Sequence, residues 1–189
     1  MLIERQYRTR QPGQPGQPDQ SSQWGQAGFT LVELMVVVAV VGILAIVAAP
    51  AMSALVSANR LSGAAEGLTA SMQLARSEAV RRNTRVTVCG SADGTTCAAS
   101  TNWVRWIVRG RDNTLGVDEV MRDDTPAGNV NVSGPATGVI FRPSGLLDAQ
   151  TSVTACLPVT NPALNQRVIT VMISGVVSAK PTDGGGTCP

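Results

Sequence analysis

The chain contains no histidine. That absence removes Ser-His and Cys-His catalytic pairs and every His-ligated metal site. None of the four cysteines, Cys89, Cys97, Cys156 and Cys188, stands in a C-x-x-C pair, which argues against zinc ribbons and thioredoxin-type redox sites. No Walker A, G-x-S-x-G or dinucleotide-binding fingerprint occurs. A dominant charge is missing too: 15 Lys+Arg against 13 Asp+Glu leave +2, which excludes a protein that coats nucleic acid over its whole surface. Asp112, Asn113, Asp118 and Glu119 offer hard oxygen ligands, but their spacing is not that of an EF-hand, and Asp and Asn are ordinary turn residues. The sequence therefore reads as a non-enzyme with no cofactor and no resident metal.

What is present is unevenly spread. At 189 residues the chain has room for one ordinary domain and a separate segment. Residues 1–28 are hydrophilic, and Gln11–Gln20 reads QPGQPGQPDQ, a Pro/Gly/Gln repeat that builds neither helix nor core. From Leu34 to Asn59 there is then no ionisable side chain at all. As a helix that run reaches about 39 Å, more than the roughly 30 Å of a bilayer's hydrocarbon core. Arg5, Arg8 and Arg10 precede it and Arg60 is the first basic residue beyond it, which predicts a cytoplasmic N-terminus with the remainder outside. Pro50 is expected to kink this helix rather than end it. A small residue, Gly28, stands before the apolar stretch instead of after it, so cleavage there would leave the stretch on the mature chain, unlike a secretory signal. Glu33 is the anomaly. A carboxylate at the start of a spanning helix costs roughly 2.5–3.5 kcal/mol at the bilayer centre and less near the interface, so a plain anchor would omit it.

Gly28-Phe29-Thr30-Leu31-Val32-Glu33 with the apolar run and Pro50 resembles the processing and N-methylation motif of type IV pilins and type II secretion pseudopilins. The resemblance implies cleavage by prepilin peptidase between Gly28 and Phe29, N-methylation of Phe29, and an assembly role for Glu33 toward a neighbouring subunit's N-terminus. It also implies other subunits, an inner-membrane assembly platform and membrane lipid as partners. The expected place is the bacterial inner membrane, single-pass with a periplasmic head, and then a pilus or pseudopilus.

Leu61, Ala65, Leu68, Met72, Ala75 and Ala79 recur at spacings of four and three and predict one apolar stripe on a helix that ends at Asn83 and Thr84. Gly63 and Gly67 are expected to weaken it by about 1 kcal/mol each relative to Ala. Strand-like segments follow: 85–89, 103–109, 117–122, 138–142, 152–157 and 167–174, separated by turn residues with no helix-length pattern between them. The expected fold is α+β, a lollipop in which one long helix, membrane-spanning in its first half, packs on a small antiparallel sheet. Its parts are a cleaved leader over 1–28, a helix over 29–83 (spanning over about 31–55, amphipathic beyond), and a β-rich head over 84–189.

Four cysteines beyond a membrane-type segment suggest disulfides in an oxidising compartment. Three pairings exist and the sequence does not decide among them, with four buried thiols as the alternative. The favoured pairing joins Cys89 to Cys97, closing the Gly90–Thr96 loop, and Cys156 to Cys188, pinning the C-terminal segment.

The segments Gln73–Val80, Arg82–Cys89, Trp103–Asp112 and Phe141–Gly145 resemble the H-type minor members of the family, called GspH, FimT and FimU. Some FimT-like members bind DNA through a G-R-x-R-type element on the last hairpin. Here Val176 and Ser178 fill both arginine positions and only Lys180 remains, while Arg105, Arg109 and Arg111 form a second basic cluster, the first two on one strand face. The leading expectation is a structural minor pilin or pseudopilin in the initiating or tip complex. A DNA-binding minor pilin and a membrane-anchored periplasmic binding domain that never assembles are the alternatives.

Overall fold

The computed structural model describes residues 28–113 and 115–189, and for Val47, Pro50 and Ala51 the backbone only. Helix α1 runs from Leu31 to Arg82 as one element, continuous through Pro50. Contacts divide the chain into two units, one up to Gly42 and one from Ile43 to Pro189.

In the larger unit α1 buries the predicted stripe. Leu61, Leu68, Met72, Ala75 and Ala79 are fully buried, Ala65 nearly so, and Ala64 and Ser71 widen the covered face. Burial of each large apolar side chain contributes about 1.5–3 kcal/mol over leaving it in water. Glu66, Gln73, Arg76 and Arg81 stay exposed. The helix stops where the sequence places its end. Asn83 adopts φ 53°, its N–H reaches the Val80 carbonyl at 3.3 Å, and the Thr84 N–H reaches the Ala79 carbonyl at 3.2 Å. This pair of bonds is a Schellman cap, and Asn tolerates its left-handed residue better than most side chains.

Eight strands follow: β1 Val86–Ser91, β2 Arg105–Arg111, β3 Asp118–Asp124, β4 Asn131–Ser133, β5 Val139–Phe141, β6 Thr151–Cys156, β7 Gln166–Val171 and β8 Val177–Thr182. They form two four-stranded sheets, not the single sheet expected, in the orders β3-β2-β1-β5 and β4-β6-β7-β8. Every pairing is antiparallel, with Val88 opposite Val108 and Thr154 opposite Val168. Strands β4 and β8 have no counterpart in the sequence reading. The segment expected over 167–174 ends at Val171, because Met172–Val176 turns into β8: the Gly175 N–H bonds the Met172 carbonyl and the Met172 N–H the Val176 carbonyl. Gly175 sits at φ 76°, and a Cβ there would lie 2.5 Å from the Gly145 carbonyl oxygen, so only glycine fits. Likewise strand β2 starts at Arg105 instead of Trp103, whose N–H is bonded to the Val132 carbonyl across to the other sheet.

One core joins the helix stripe to both sheets, with Val86, Val88, Trp106, Val108 and Phe141 from the first and Val153, Ala155, Ile169 and Val171 from the second. Gly67 has a role the helix-propensity argument missed: a Cβ there would meet the Trp106 ring at 3.2 Å. The indole lies against that bare backbone and donates its Nε1–H to Ser71 Oγ at 3.0 Å, which satisfies a buried donor.

Candidate functional site

The smaller unit presents the first turn of α1. Thr30 precedes the helix, and its Oγ1 accepts the Glu33 N–H at 3.2 Å while the Leu34 N–H bonds the Thr30 carbonyl. Thr30 is thus the N-cap of a T-x-x-E start, a capping signal the sequence carries and which the reading above did not use. It places the Glu33 carboxylate in the first turn, where the positive end of the helix dipole favours it. Glu33 is exposed and makes no ion pair among the described residues. Around it the surface is apolar on every side, with Phe29, Leu31, Val32, Leu34 and Met35 each more than half exposed and the pattern continuing to Ile46. A helix that is hydrophobic all round has no stable place in water. Among the described residues no helix is long and apolar enough to cross a membrane. The spanning reading rests on the unbroken sequence from Leu34 to Asn59. The leader, up to residue 27, lies outside the described residues; Gly28 and Phe29 are exposed just before the cap.

The head is closed by two disulfides, Cys89–Cys97 and Cys156–Cys188, each with a Cα–Cα separation of 5.6 Å. The first staples the loop after β1. Inside that loop Asp93 accepts N–H bonds from Thr96 and Thr95 and the Thr96 hydroxyl, which hold its carboxyl well below the usual range. The second holds the C-terminal segment beside Asn165, which is fully buried. Asn165 Nδ2 donates to the Leu157 carbonyl at 2.8 Å and its Oδ1 accepts the Gly184 N–H at 2.7 Å.

The end of α1 is fastened to the β2–β3 hairpin. Arg82 binds Glu78 at 2.7 Å and Glu119 at 2.8 Å, and Asn113 donates to the Arg82 carbonyl. Hydrogen bonds from Arg81 and then Arg82 pull the Glu78 carboxyl below its ordinary range.

The candidate anion-contacting residues separate. Arg105 and Arg109 share a face of β2, as their even spacing requires, but each is matched by a β3 carboxylate, Asp123 at 3.4 Å and Asp118 at 2.9 Å. Arg111 is exposed at the end of β2, and Lys180 lies on β8 in the other sheet. The four cations therefore do not form one continuous track. Among the described residues no group of three or more Cys, Asp or Glu side chains is placed to hold a metal ion.

Comparison with known proteins gives two family matches. The family described as Type II transport protein GspH matches residues 64–176, more than half of the chain, and the prokaryotic N-terminal methylation motif matches residues 25–49. The type IV minor pilin FimU of Pseudomonas aeruginosa, in one crystal form, is 22% identical over 65% of this chain and 90% of its own, with a TM-score of 0.50. A second crystal form of FimU is 20% identical over 64% of this chain and 93% of its own, with a TM-score of 0.48. The first of these likenesses is one of fold. No curated protein matches the chain. With a capped helix start that is apolar apart from Glu33, followed by a helix-backed pair of antiparallel sheets, the chain belongs to the GspH family, as a minor pseudopilin of the type IV pilin class.

Proposed function

We propose that this chain is a structural subunit, cleaved between Gly28 and Phe29 by prepilin peptidase, methylated on the new Phe29 amine, held in the bacterial inner membrane and then built into a pilus or pseudopilus. Its family is one of structural pilins, not of enzymes. In this reading the N-terminus faces the cytoplasm and the head the periplasm before assembly. Residues of about 31–55 leave lipid for the helices of other subunits as the assembly platform extracts the chain, and the head contributes to the initiating or tip complex.

One observation carries the proposal: Glu33 is the single carboxylate in an otherwise apolar helix start, fixed in the first turn by Thr30 and without an ion-pair partner among the described residues. In a low-dielectric setting an unpaired carboxylate is costly, and an opposite charge recovers much of that cost only when it comes close. The α-amino group of a neighbouring processed subunit is a cation of the right size and place. Pairing would thus reward entry in one axial register, while lipid contacts alone would reward none.

The experiment is Glu33→Ala in cells with the assembly machinery. Cleavage of the leader should proceed as in the wild type, while recovery of the chain in sheared filaments should fall at least tenfold, and Glu33→Asp should recover part of it. Wild-type incorporation of Glu33→Ala would refute the assembly role and favour an anchored domain that never polymerises.

A further inference from the structure

On the outward face of the first sheet, away from the core, the pairing register brings three guanidinium groups together. Val86 lies opposite Gly110 at the end of the β1–β2 ladder, and just beyond that pair Arg85 precedes Val86 while Arg111 follows Gly110. Like charges brought close across a strand pair repel. Arg109 lies two residues back on the same face, opposite Thr87. The three arginines line one open cavity of about 440 Å³ with Thr84, Thr87 and Asp118. Exposed Cys97 of the stapled loop also lines it.

Charge in this cavity is not balanced from within. Asp118 lies opposite Arg111 in the register but gives its carboxylate to Arg109 at 2.9 Å. Glu119, the next carboxylate, is held by Arg82. Arg85 and Arg111 make no hydrogen bond or ion pair among the described residues. Thr84 borders the same cavity, and its buried hydroxyl has no hydrogen-bond partner among the described residues. Two guanidinium groups with no partner among the described residues, around one space with Arg109, are the donors that a tetrahedral oxyanion takes up.

We propose that Arg85, Thr87 and Arg111, with Arg109 oriented by Asp118, form a binding site for a single phosphate-type oxyanion. The ligand is one phosphate or phosphomonoester group, not a nucleic-acid strand. A strand needs a succession of cations at phosphate spacing, whereas Arg105, the next on this face, is committed to Asp123 and Lys180 belongs to the other sheet. The anion would also relieve the repulsion between Arg85 and Arg111 by sitting between them.

Isothermal titration of the full chain in a nonionic detergent tests this, with sodium phosphate against sodium chloride at equal ionic strength. Phosphate should bind once per chain, and at ten times its Kd should raise the folding equilibrium constant about tenfold. Arg85→Gln or Arg111→Gln should each weaken binding about tenfold or more, and Arg105→Gln should leave it unchanged. The urea midpoint guards against misfolding: in phosphate-free, low-salt buffer Arg85→Gln should unfold at the same or higher urea than the wild type. Absence of saturable phosphate binding, or equal loss in Arg105→Gln, would overturn the site. So would a single-stranded oligodeoxynucleotide that binds with a steep salt dependence and is not displaced by phosphate, since that would mark an extended polyanion surface.

Discussion

Removing the two disulfides one at a time should cost different amounts, and the difference follows from the chain alone. Cys89–Cys97 closes a loop of sequence separation 8 and Cys156–Cys188 one of 32. A crosslink restricts the unfolded chain by an entropy that grows as (3/2)R ln n with loop length n. The short loop is then worth about 2.5 kcal/mol and the long one about 3.7 kcal/mol at 25 °C. Their difference, about 1.2 kcal/mol, depends only on the fourfold ratio of loop lengths and is the firmer quantity. The perturbation is Cys89→Ala with Cys97→Ala in one variant and Cys156→Ala with Cys188→Ala in another. Urea unfolding of the full chain in detergent, followed by tryptophan fluorescence, measures both; Trp103 and Trp106 are 1% and 2% exposed and report on the common core. Asn165→Ala is the companion variant. It removes two short bonds, one to the Leu157 carbonyl beside Cys156 and one from the Gly184 N–H of the same tail, each worth about 1 kcal/mol, and its effect should be non-additive with loss of Cys156–Cys188 but additive with loss of Cys89–Cys97. Equal costs for the two disulfide variants, or a larger cost for the short loop, would refute the loop-entropy reasoning.

Two further outcomes are expected from the head. Leu68→Ala, at a fully buried position on the helix stripe, should cost about 2–5 kcal/mol, while Val80→Ala, 54% exposed on the same helix, should stay within about 0.5 kcal/mol by the same urea measurement. Because Arg81 and Arg82 depress the Glu78 carboxyl when folded, its stabilisation is present above the unfolded carboxylate range near pH 4.3 and is lost as pH falls through the folded value. Glu78→Gln should therefore unfold at lower urea than the wild type at pH 7 and converge with it as pH falls through the depressed folded value, and a gap that persists once the carboxyl is protonated would contradict the ion-pair account.

The parts of this fold legible in the sequence are those governed by local periodicity. The α1 stripe could be read because a helix against a core repeats every three or four residues, and its end because Asn83 tolerates a left-handed turn. Strand β4 could not: three residues with one inward side chain, Val132, carry no alternation to detect. Strand β8 was hidden by composition, since Ala179, Lys180 and Pro181 are poor strand formers, tolerated here because β8 pairs only with β7 and so borders its sheet. The division into two sheets was out of reach for another reason: which strands pair is decided by a shared core, as when β5 joins β1 instead of its sequence neighbour β4. The site shows the same contrast. Gly28, Phe29 and Glu33 stand in a contiguous motif, and the even spacing of Arg105 and Arg109 correctly placed them on one face. That each would face its own acid on β3, and that Arg85 and Arg111 would line one cavity, depended on how the strands pair.

The order in which the chain visits its sheets has a mechanical consequence. After β3 it leaves the first sheet to lay down β4, returns for β5, and departs again for β6. The path is stitched through both layers like a thread through two cloths, so neither layer can be completed, peeled away or expressed alone without leaving the other missing a piece. Contacts so distant along the chain form late and slowly. A subunit of this kind should come apart in one cooperative step, and half-built heads offered to a filament would present torn edges instead of a usable surface.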